Sequence, residues 1–170
     1  MSKKAAEELR LQEIVTSVYN NNSLAFAILM ATGQLEISQN AKKAKELSDN
    51  KRDEAHNLIM NRLPADASTR EGNNDEWWFG QSKTKLQKIY DEKGLMNEAH
   101  VHGFANVFNC SIVTLDVCQD VLIISEYTPG YAVARQLLLD EAKEQRKQEK
   151  QPVWLQMKSE GHWSYLRICE

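Results

Sequence analysis

Two residues at opposite ends of the chain, Ser23 and His162, have side chains that can perform nucleophilic catalysis. Ser23 follows Asn20, Asn21 and Asn22 and precedes an apolar run. Asparagine favours turns and helix caps, so this pattern predicts a tight turn that delivers Ser23 to the first turn of a buried helix. Enzymes often place a nucleophile and an oxyanion hole at such a helix N-terminus. The simpler alternative is an N-cap serine without a chemical role.

His162 is the histidine best placed to act as a general base. It follows Gly161 and opens an apolar run that predicts a strand, so its ring is expected at a sheet edge near a cleft. Histidine is the usual base for a serine or thiol nucleophile. Ser164 shares its strand face and can accept a hydrogen bond from the imidazole, although more weakly than a carboxylate or an amide oxygen. The alternative is a strand-edge histidine without a role.

The remaining histidines and two cysteines do not predict a site. His100 and His102 point to different faces of a predicted helix, and His56 has no partner pattern. Cys110 and Cys118 flank a predicted strand and are expected in the core. The sequence therefore implies no metal and no organic cofactor.

Length and composition indicate a single domain. The chain has 170 residues and a net charge of -3, which gives no reason to propose nucleic acid or an anionic membrane as a partner. No apolar stretch approaches the roughly 20 residues that span a bilayer, and the charged N-terminus does not resemble a signal peptide. The three cysteines form no CxxC pair, so we expect a reducing compartment such as the cytoplasm.

Hydrophobic periodicity predicts the elements that position these residues. The order of helices first, then strands with one inserted helix, indicates an α+β fold with a small, mostly antiparallel sheet flanked by helices. Polar residues at 48–53 predict a break in the third helix, and Pro64 predicts its end. Helices are predicted at 5–19, 23–31, 38–63, 83–93, 96–108 and, largely solvated, 137–150, and strands at 111–117, 121–127, 153–158 and 162–168.

A group of large aromatic residues follows the polar segment 65–75, which is predicted to be a loop. Trp77 and Trp78 are next to Phe79, and three adjacent large aromatics rarely all face one core. One of them is therefore expected in a cleft or against a partner. The alternative is that they anchor the loop to the body of the domain.

Five motifs in order resemble the ovarian-tumour (OTU) family of cysteine proteases, which remove ubiquitin. The segment Asn-Asn-Asn-Ser-Leu-Ala-Phe-Ala-Ile at 20–28 aligns without a gap with the family's Asp-Gly-Asn-Cys-Leu-Phe-x-Ala-Ile. The resemblance extends from about residue 15 to residue 168. The other motifs are Trp-Phe-Gly at 78–80, a helix leading to Ile-Val at 105–113, Tyr-Thr-Pro at 127–129, and a strand at 153–155 followed by Gly-His-Trp-Ser-Tyr-Leu at 161–166.

The resemblance implies a papain-like OTU fold and a deubiquitinating cysteine protease. Such an enzyme is an isopeptidase that cleaves after the C-terminal glycine of ubiquitin or a similar modifier. The whole chain, 1–170, would be one catalytic domain with helical insertions at about 83–94 and 134–150. Position 23 would carry the nucleophile and His162 would be the base.

Other residues receive roles from the same resemblance. The backbone N–H groups around Asn21 and Asn22 would hold the oxyanion. Trp163 would wall the channel for the modifier's Gly-Gly tail, and Trp77 and Trp78 would contact its body. The third catalytic member would be Ser164, at the family's usual Asp or Asn position, or Asn20, at the motif's acidic position.

The chain departs from the family at the nucleophile, because Ser23 stands where the family has cysteine. A serine hydroxyl is far less acidic than a thiol, so the rate should be almost lost. Ser23 is either an engineered Cys→Ser change, which the retained His162 favours, or the mark of a natural pseudoenzyme that binds ubiquitin. A further alternative is an adaptor domain that binds a partner through 137–150. The insertions suggest a bacterial or viral effector acting in a host cytosol.

Overall fold

The computed structural model describes residues 2–14, 21–35, 41–67, 83–130, 134–158 and 162–169. Within these ranges a helix and a strand are followed by four helices and then by five strands interrupted by one helix. In chain order they are α1 (Ser2–Glu8), β1 (Leu11–Ile14), α2 (Ser23–Ala31), α3 (Ala41–Ala67), α4 (Lys83–Asp91), α5 (Glu98–Val107), β2 (Ile112–Cys118), β3 (Val121–Tyr127), β4 (Arg135–Leu137), α6 (Leu139–Arg146), β5 (Val153–Met157) and β6 (Trp163–Ile168).

The described strands form one sheet in the order β1-β6-β5-β2-β3-β4. Neighbouring strands are antiparallel except β2 and β5, which run parallel with Ile112 opposite Val153. The β2–β3 hairpin turns at Gln119 and Asp120, which have φ values of 50° and 62°, as a two-residue hairpin requires. The expectation of an α+β fold with a mostly antiparallel sheet is confirmed.

The hydrophobic core lies on both faces of the sheet because successive strand residues point to opposite sides. Helices α2 and α5 cover one face, where Leu24, Phe104 and Trp163 are buried together. Helices α1 and α6 cover the other face, against Trp154 and Leu166 among others. Every residue from Ser23 to Leu29 is buried, so α2 is the central helix of the domain.

The N-terminal region differs from the prediction of one helix over 5–19. Helix α1 ends at Glu8, Arg10 turns the chain with a φ of 56°, and β1 follows. Leu11 to Ile14 become a strand because they pair with β6, from Ile168 back to Tyr165. A partner about 150 residues away cannot be seen in a local pattern, and the tertiary pairing overrides the local helical stripe.

Helix α3 is continuous through the polar stretch where a break was expected, and it extends past Pro64 to Ala67. The prediction fails because the stretch contains buried polar groups that the fold satisfies. Ser48 is fully buried and its Oγ donates to the carbonyl oxygen of Ala44 at 2.8 Å. Arg52 is 4% exposed and also hydrogen-bonded.

The helix expected over the charged segment 137–150 is present but shorter: Leu137 ends β4, and α6 spans Leu139–Arg146. Helix α6 is also anchored to the body, because Ala142 is fully buried in the core. Arg146 donates through Nε to the carbonyl oxygen of Leu9 at 3.1 Å and through Nη2 to that of Cys169 at 3.0 Å. Among the described helices, none is both long enough and apolar enough to cross a membrane.

Candidate active site

Position 23 lies where the central helix meets the last strand of the sheet. Ser23 is the first residue of α2 and only 2% exposed. Its Oγ accepts a hydrogen bond from the backbone N–H of Trp163, with 3.1 Å between the heavy atoms. Trp163 opens β6 directly after His162. The fold therefore brings together the two motifs that the sequence separates by about 140 residues.

The turn before α2 has backbone geometry suited to an anion. Asn21 has a φ of 60°, a left-handed conformation that asparagine tolerates, and Asn22 has φ −94° and ψ 20°. Alternation of positive and negative φ makes successive amides converge, as in anion-binding nests. The first-turn amides of a helix also lack intrahelical acceptors. Residues 21 to 23 thus combine two sources of N–H groups at the nucleophile position.

The side chains of Asn21 and Asn22 fasten this turn to neighbouring elements instead of capping α2. Asn21 Nδ2 donates to the carbonyl oxygen of Lys93 at 3.1 Å. Asn22 is 1% exposed; its Nδ2 donates to Asp49 Oδ1 at 2.6 Å, and its Oδ1 accepts from Arg52 Nη1 at 3.1 Å. Both Asp49 and Arg52 belong to α3.

Two charged residues of α3, Asp49 and Arg52, lie beside this turn. Burial acts to raise the pKa of Asp49, but hydrogen bonds from Lys45 and Asn22 hold that pKa below its ordinary value. The Nη2 atom of Arg52 donates to the carbonyl oxygen of Gly94, which follows α4, and to that of Ile89, which lies within α4. An open cleft of about 440 Å³ borders this region and is lined by Asp49, Arg52, Asp53, Tyr90, Asp91 and Lys93.

The histidine side of the site lies where β6 begins, next to the edge strand β1 of the sheet. His162 is half-buried, and its backbone carbonyl oxygen accepts from the N–H of Lys158 at 2.7 Å. Ser164 is 1% exposed and its Oγ donates to Glu13 Oε2 at 3.2 Å. The other oxygen of Glu13 accepts from Lys158 Nζ at 2.8 Å. The hydroxyl proton of Ser164 is therefore engaged by a carboxylate from β1, which leaves its lone pairs as acceptors.

Glu13 is a residue near the site that the sequence did not reveal. Its neighbourhood follows from the antiparallel pairing of β1 with β6, in which Glu13 lies opposite Leu166. The available signal was the alternation in Leu-Gln-Glu-Ile at 11–14, which is too short to distinguish from the end of a helix.

Trp163 is buried in the core of the domain. The sequence resemblance implies contact with the modifier's tail, but the side chain is 2% exposed and packs with the core under α2. Its indole N–H donates to the carbonyl oxygen of Met96 at 3.3 Å. In this structure Trp163 supports the site through its backbone N–H to Ser23 and its buried ring.

Three predicted site residues, Asn20, Trp77 and Trp78, lie outside the described residues. Among the described part of the chain, no cluster of His, Cys, Asp or Glu could hold a metal ion. The expectation that both strand-flanking cysteines are core residues is wrong for Cys118, which is exposed at the end of β2, while Cys110 is half-buried. Cys118 escapes burial because the hairpin turn begins there.

The other histidines have structural surroundings near α3 and α5. His100 is buried at the start of α5, where its Nδ1 accepts from the backbone N–H of Asn97 at 3.0 Å. Burial, together with the positive charges of Arg52 and His56, lowers the pKa of His100 to about 3. The ring of His56 stacks on Tyr90 with 3.9 Å between centroids, and burial lowers its pKa as well.

Comparison with solved structures finds the same architecture in several OTU domains. An OTU deubiquitinase from Wolbachia pipientis wMel, solved bound to ubiquitin, matches with a TM-score of 0.57 and 9% identity over 94% of this chain and 96% of that one. The OTU domain of OTUD1 matches with a TM-score of 0.53 and 12% identity over 96% and 89%. The Hazara virus OTU bound to ubiquitin matches at 0.52 and 13% over 94% and 82%.

Comparison by sequence finds no such likeness: no family model matches, and no curated protein matches. At identities of 9% to 13%, a structural match shows that the fold is shared. The chemistry has to be argued from the residues of this chain.

Proposed function

We propose that this chain, whose fold is that of the OTU domains, is a cysteine-type isopeptidase for ubiquitin or a similar modifier when cysteine occupies position 23. One observation carries the proposal: the Ser23 Oγ lies 3.1 Å from the backbone N of Trp163, at the N-terminus of a buried helix and beside the strand that His162 precedes. Two OTU domains with this architecture were solved bound to ubiquitin. The proposed partner is accordingly ubiquitin.

The proposed reaction proceeds in two steps. His162 takes the thiol proton, and the thiolate at position 23 attacks the carbonyl carbon of the modifier's C-terminal glycine. The tetrahedral intermediate collapses to a thioester while His162 protonates the leaving lysine amine. Water, deprotonated by His162, then hydrolyses the thioester and regenerates the thiol. The N–H groups of residues 21 to 23 stabilise the oxyanion, with support from the α2 dipole.

The third member of this site is proposed to be Ser164 acting with Glu13. The bond from Ser164 Oγ to Glu13 commits the hydroxyl proton, so that the serine oxygen can only accept from the ring N–H of His162. That acceptor would fix the imidazole tautomer and orientation, as a carboxylate does in hydrolase triads. Asn20 remains the alternative from the opposite side of the nucleophile.

The serine at position 23 is proposed to leave a binding protein without turnover. An unactivated hydroxyl stays protonated near neutral pH, so Ser23 is a far weaker nucleophile than a thiol at the same position. The same outcome is expected whether the serine is engineered or natural. Trp77, Trp78 and α4 are proposed to contact the body of the modifier.

The decisive experiment is the Ser23→Cys variant with a ubiquitin probe that carries an electrophile at its C-terminus. We expect a covalent adduct with Ser23→Cys and none with the unchanged chain or with Ser23→Cys/His162→Ala. An adduct that forms equally without His162 would contradict the choice of base. No adduct from a folded Ser23→Cys chain would contradict the proposed activity and favour a domain that only binds.

A further inference from the structure

The geometry points to Arg52 as a positioning residue that sets the orientation of the nucleophile turn through Asn22. The inference rests on the proposed function, since it concerns the rate of the reaction at position 23. Arg52 lies in the middle of α3 and does not adjoin Ser23 in the sequence, and the family resemblance assigned it no role.

The contacts of Arg52 join three parts of the domain. Nη1 donates to Asn22 Oδ1 at 3.1 Å. Nη2 donates to the carbonyl oxygen of Gly94 at 2.5 Å and to that of Ile89 at 3.3 Å. The guanidinium thus ties α3 both to the turn before α2 and to the chain that links α4 with α5.

The clamp on Asn22 is two-sided, and its Arg52 side is buried. Asp49, one helical turn before Arg52, accepts from Asn22 Nδ2 at 2.6 Å, so both ends of the amide are fixed by α3. Asn22 is 1% and Arg52 4% exposed, which limits the access of water to the bond between them, whereas the side chain of Asp49 is 32% exposed. The amide plane of Asn22 therefore cannot rotate without breaking two charge-assisted hydrogen bonds.

The position of Asn22 makes this clamp relevant to chemistry. Asn22 immediately precedes position 23 and contributes one of the N–H groups proposed to hold the oxyanion. Oxyanion donors act only when they are held in place before the reaction, and a displacement of about 1 Å can cost roughly a hundredfold in rate. A group that fixes the turn should therefore affect the chemical step more than the binding of the modifier.

The planar fork of Arg52 is what the arrangement requires. Its two Nη atoms point to acceptors on different elements, and the single ammonium of a lysine cannot reproduce that pair of directions. Arg52→Lys keeps the charge and most of the volume while removing the bridge. A purely electrostatic role would survive this change, and a positioning role would not.

The test measures the rate of adduct formation with the electrophilic ubiquitin probe, in the Ser23→Cys background, as a function of probe concentration. We expect Arg52→Lys to lower the rate at saturating probe about tenfold or more, with the half-saturating concentration changed less than about twofold. Asn22→Ala should have the same effect, because it opens the clamp with Arg52 intact. Lys51→Ala, next to Arg52 on α3 and paired with the exposed Glu54, is the matched control and should react like Ser23→Cys alone.

The double variant Arg52→Lys/Asn22→Ala distinguishes a role of Arg52 in positioning Asn22 from a loss of rate that does not involve Asn22. If Arg52 acts through Asn22, the double variant should react no more slowly than the slower single variant. Thermal unfolding of each variant identifies loss of the fold, and Asn22→Ala decides the question if Arg52→Lys does not fold.

Two results would overturn the inference while leaving the proposed function intact. One is a saturating rate that neither Arg52→Lys nor Asn22→Ala changes, and the other is multiplication of the two effects in the double variant. Failure of the proposed function is distinct, because the Ser23→Cys parent itself would then fail to react, and the inference would fall with it.

Discussion

The two sides of the candidate site differ in the burial of the polar groups that hold them. The nucleophile side is a buried turn, in which Asn22 is bonded to the buried Arg52 and to Asp49, whose side chain is 32% exposed. The histidine side lies beside the edge strand β1, where Glu13 bonds to Ser164 and forms an ion pair with Lys158. The side chain of Lys158 is 41% exposed and that of Glu13 is 27% exposed.

This difference indicates where the rigidity of the site resides. Hydrogen bonds to buried charged groups contribute about 1.5–3 kcal/mol each, whereas exposed ion pairs contribute about 0–1 kcal/mol. The nucleophile turn is therefore expected to keep its geometry without a substrate. The histidine edge costs less to rearrange and is the side that a bound modifier can adjust.

The largest effect on stability is expected when the buried charge of Arg52 is removed. Arg52→Met should lower the free energy of unfolding by about 3 kcal/mol, because Asn22 Oδ1 loses its donor in the interior and the partly buried carbonyl oxygens of Gly94 and Ile89 lose theirs. Urea unfolding measures this loss. The neighbouring Lys51→Met, which loses an ion pair with Glu54 and a contact of Nζ with the Phe108 ring, should lower the free energy of unfolding by only about 1 kcal/mol, and equal losses would contradict the contrast.

A second prediction uses pH, and it concerns a buried histidine close to Arg52. Burial lowers the pKa of His100 in the folded chain to about 3, so between pH 6.5 and 3 the unfolded chain binds a proton that the folded chain does not. Stability is then lost as the pH falls, by about 2 kcal/mol between pH 7.5 and pH 5 from this group.

The matched variant for this prediction is His100→Gln. Glutamine at this position of the helix can still accept the N–H of Asn97, as in a capping box, but it does not titrate. Urea unfolding at the two pH values should show a shallower pH dependence by about 2 kcal/mol. An unchanged slope would show that His100 does not carry the effect.

The smallest effect is expected at the histidine edge. Glu13→Gln keeps an oxygen for the hydroxyl of Ser164 but neutralises the ion pair with Lys158, so the free energy of unfolding should fall by less than about 1 kcal/mol. The difference in the free energy of unfolding between Glu13→Gln and the unchanged chain should shrink further in 1 M NaCl, because a Debye length of about 3 Å screens the ion pair. A loss as large as that of Arg52→Met would remove the distinction between the two sides.

The parts of the fold that the sequence predicts are those with local signals. The α2 helix at 23–31 and the two strands of the hairpin were predictable because an apolar run and alternating Val and Ile residues reveal them directly. The proximity of positions 23 and 163 followed from a family resemblance rather than from periodicity.

The parts that the sequence does not predict depend on distant partners. Arg52 looks like a surface residue in a polar stretch, and only the packing of α3 against the turn makes it a buried one. Glu13 looks helical until β6 pairs with its segment. Both residues are polar groups whose role is defined by acceptors and donors more than 25 positions away, which no local pattern encodes.

The pairing of the first strand with the last one has a consequence for the chain as it leaves the ribosome. Leu11 pairs with Ile168, and the N–H of Cys169 donates to the carbonyl oxygen of Arg10 at 2.9 Å. The elements that clamp Asn22 are all synthesised before residue 110, whereas His162 and its strand emerge near the end. Contacts this distant in sequence form slowly. During translation the nucleophile turn can therefore form before the base is synthesised, so a nascent chain would complete its reactive pair only when β6 joins the sheet.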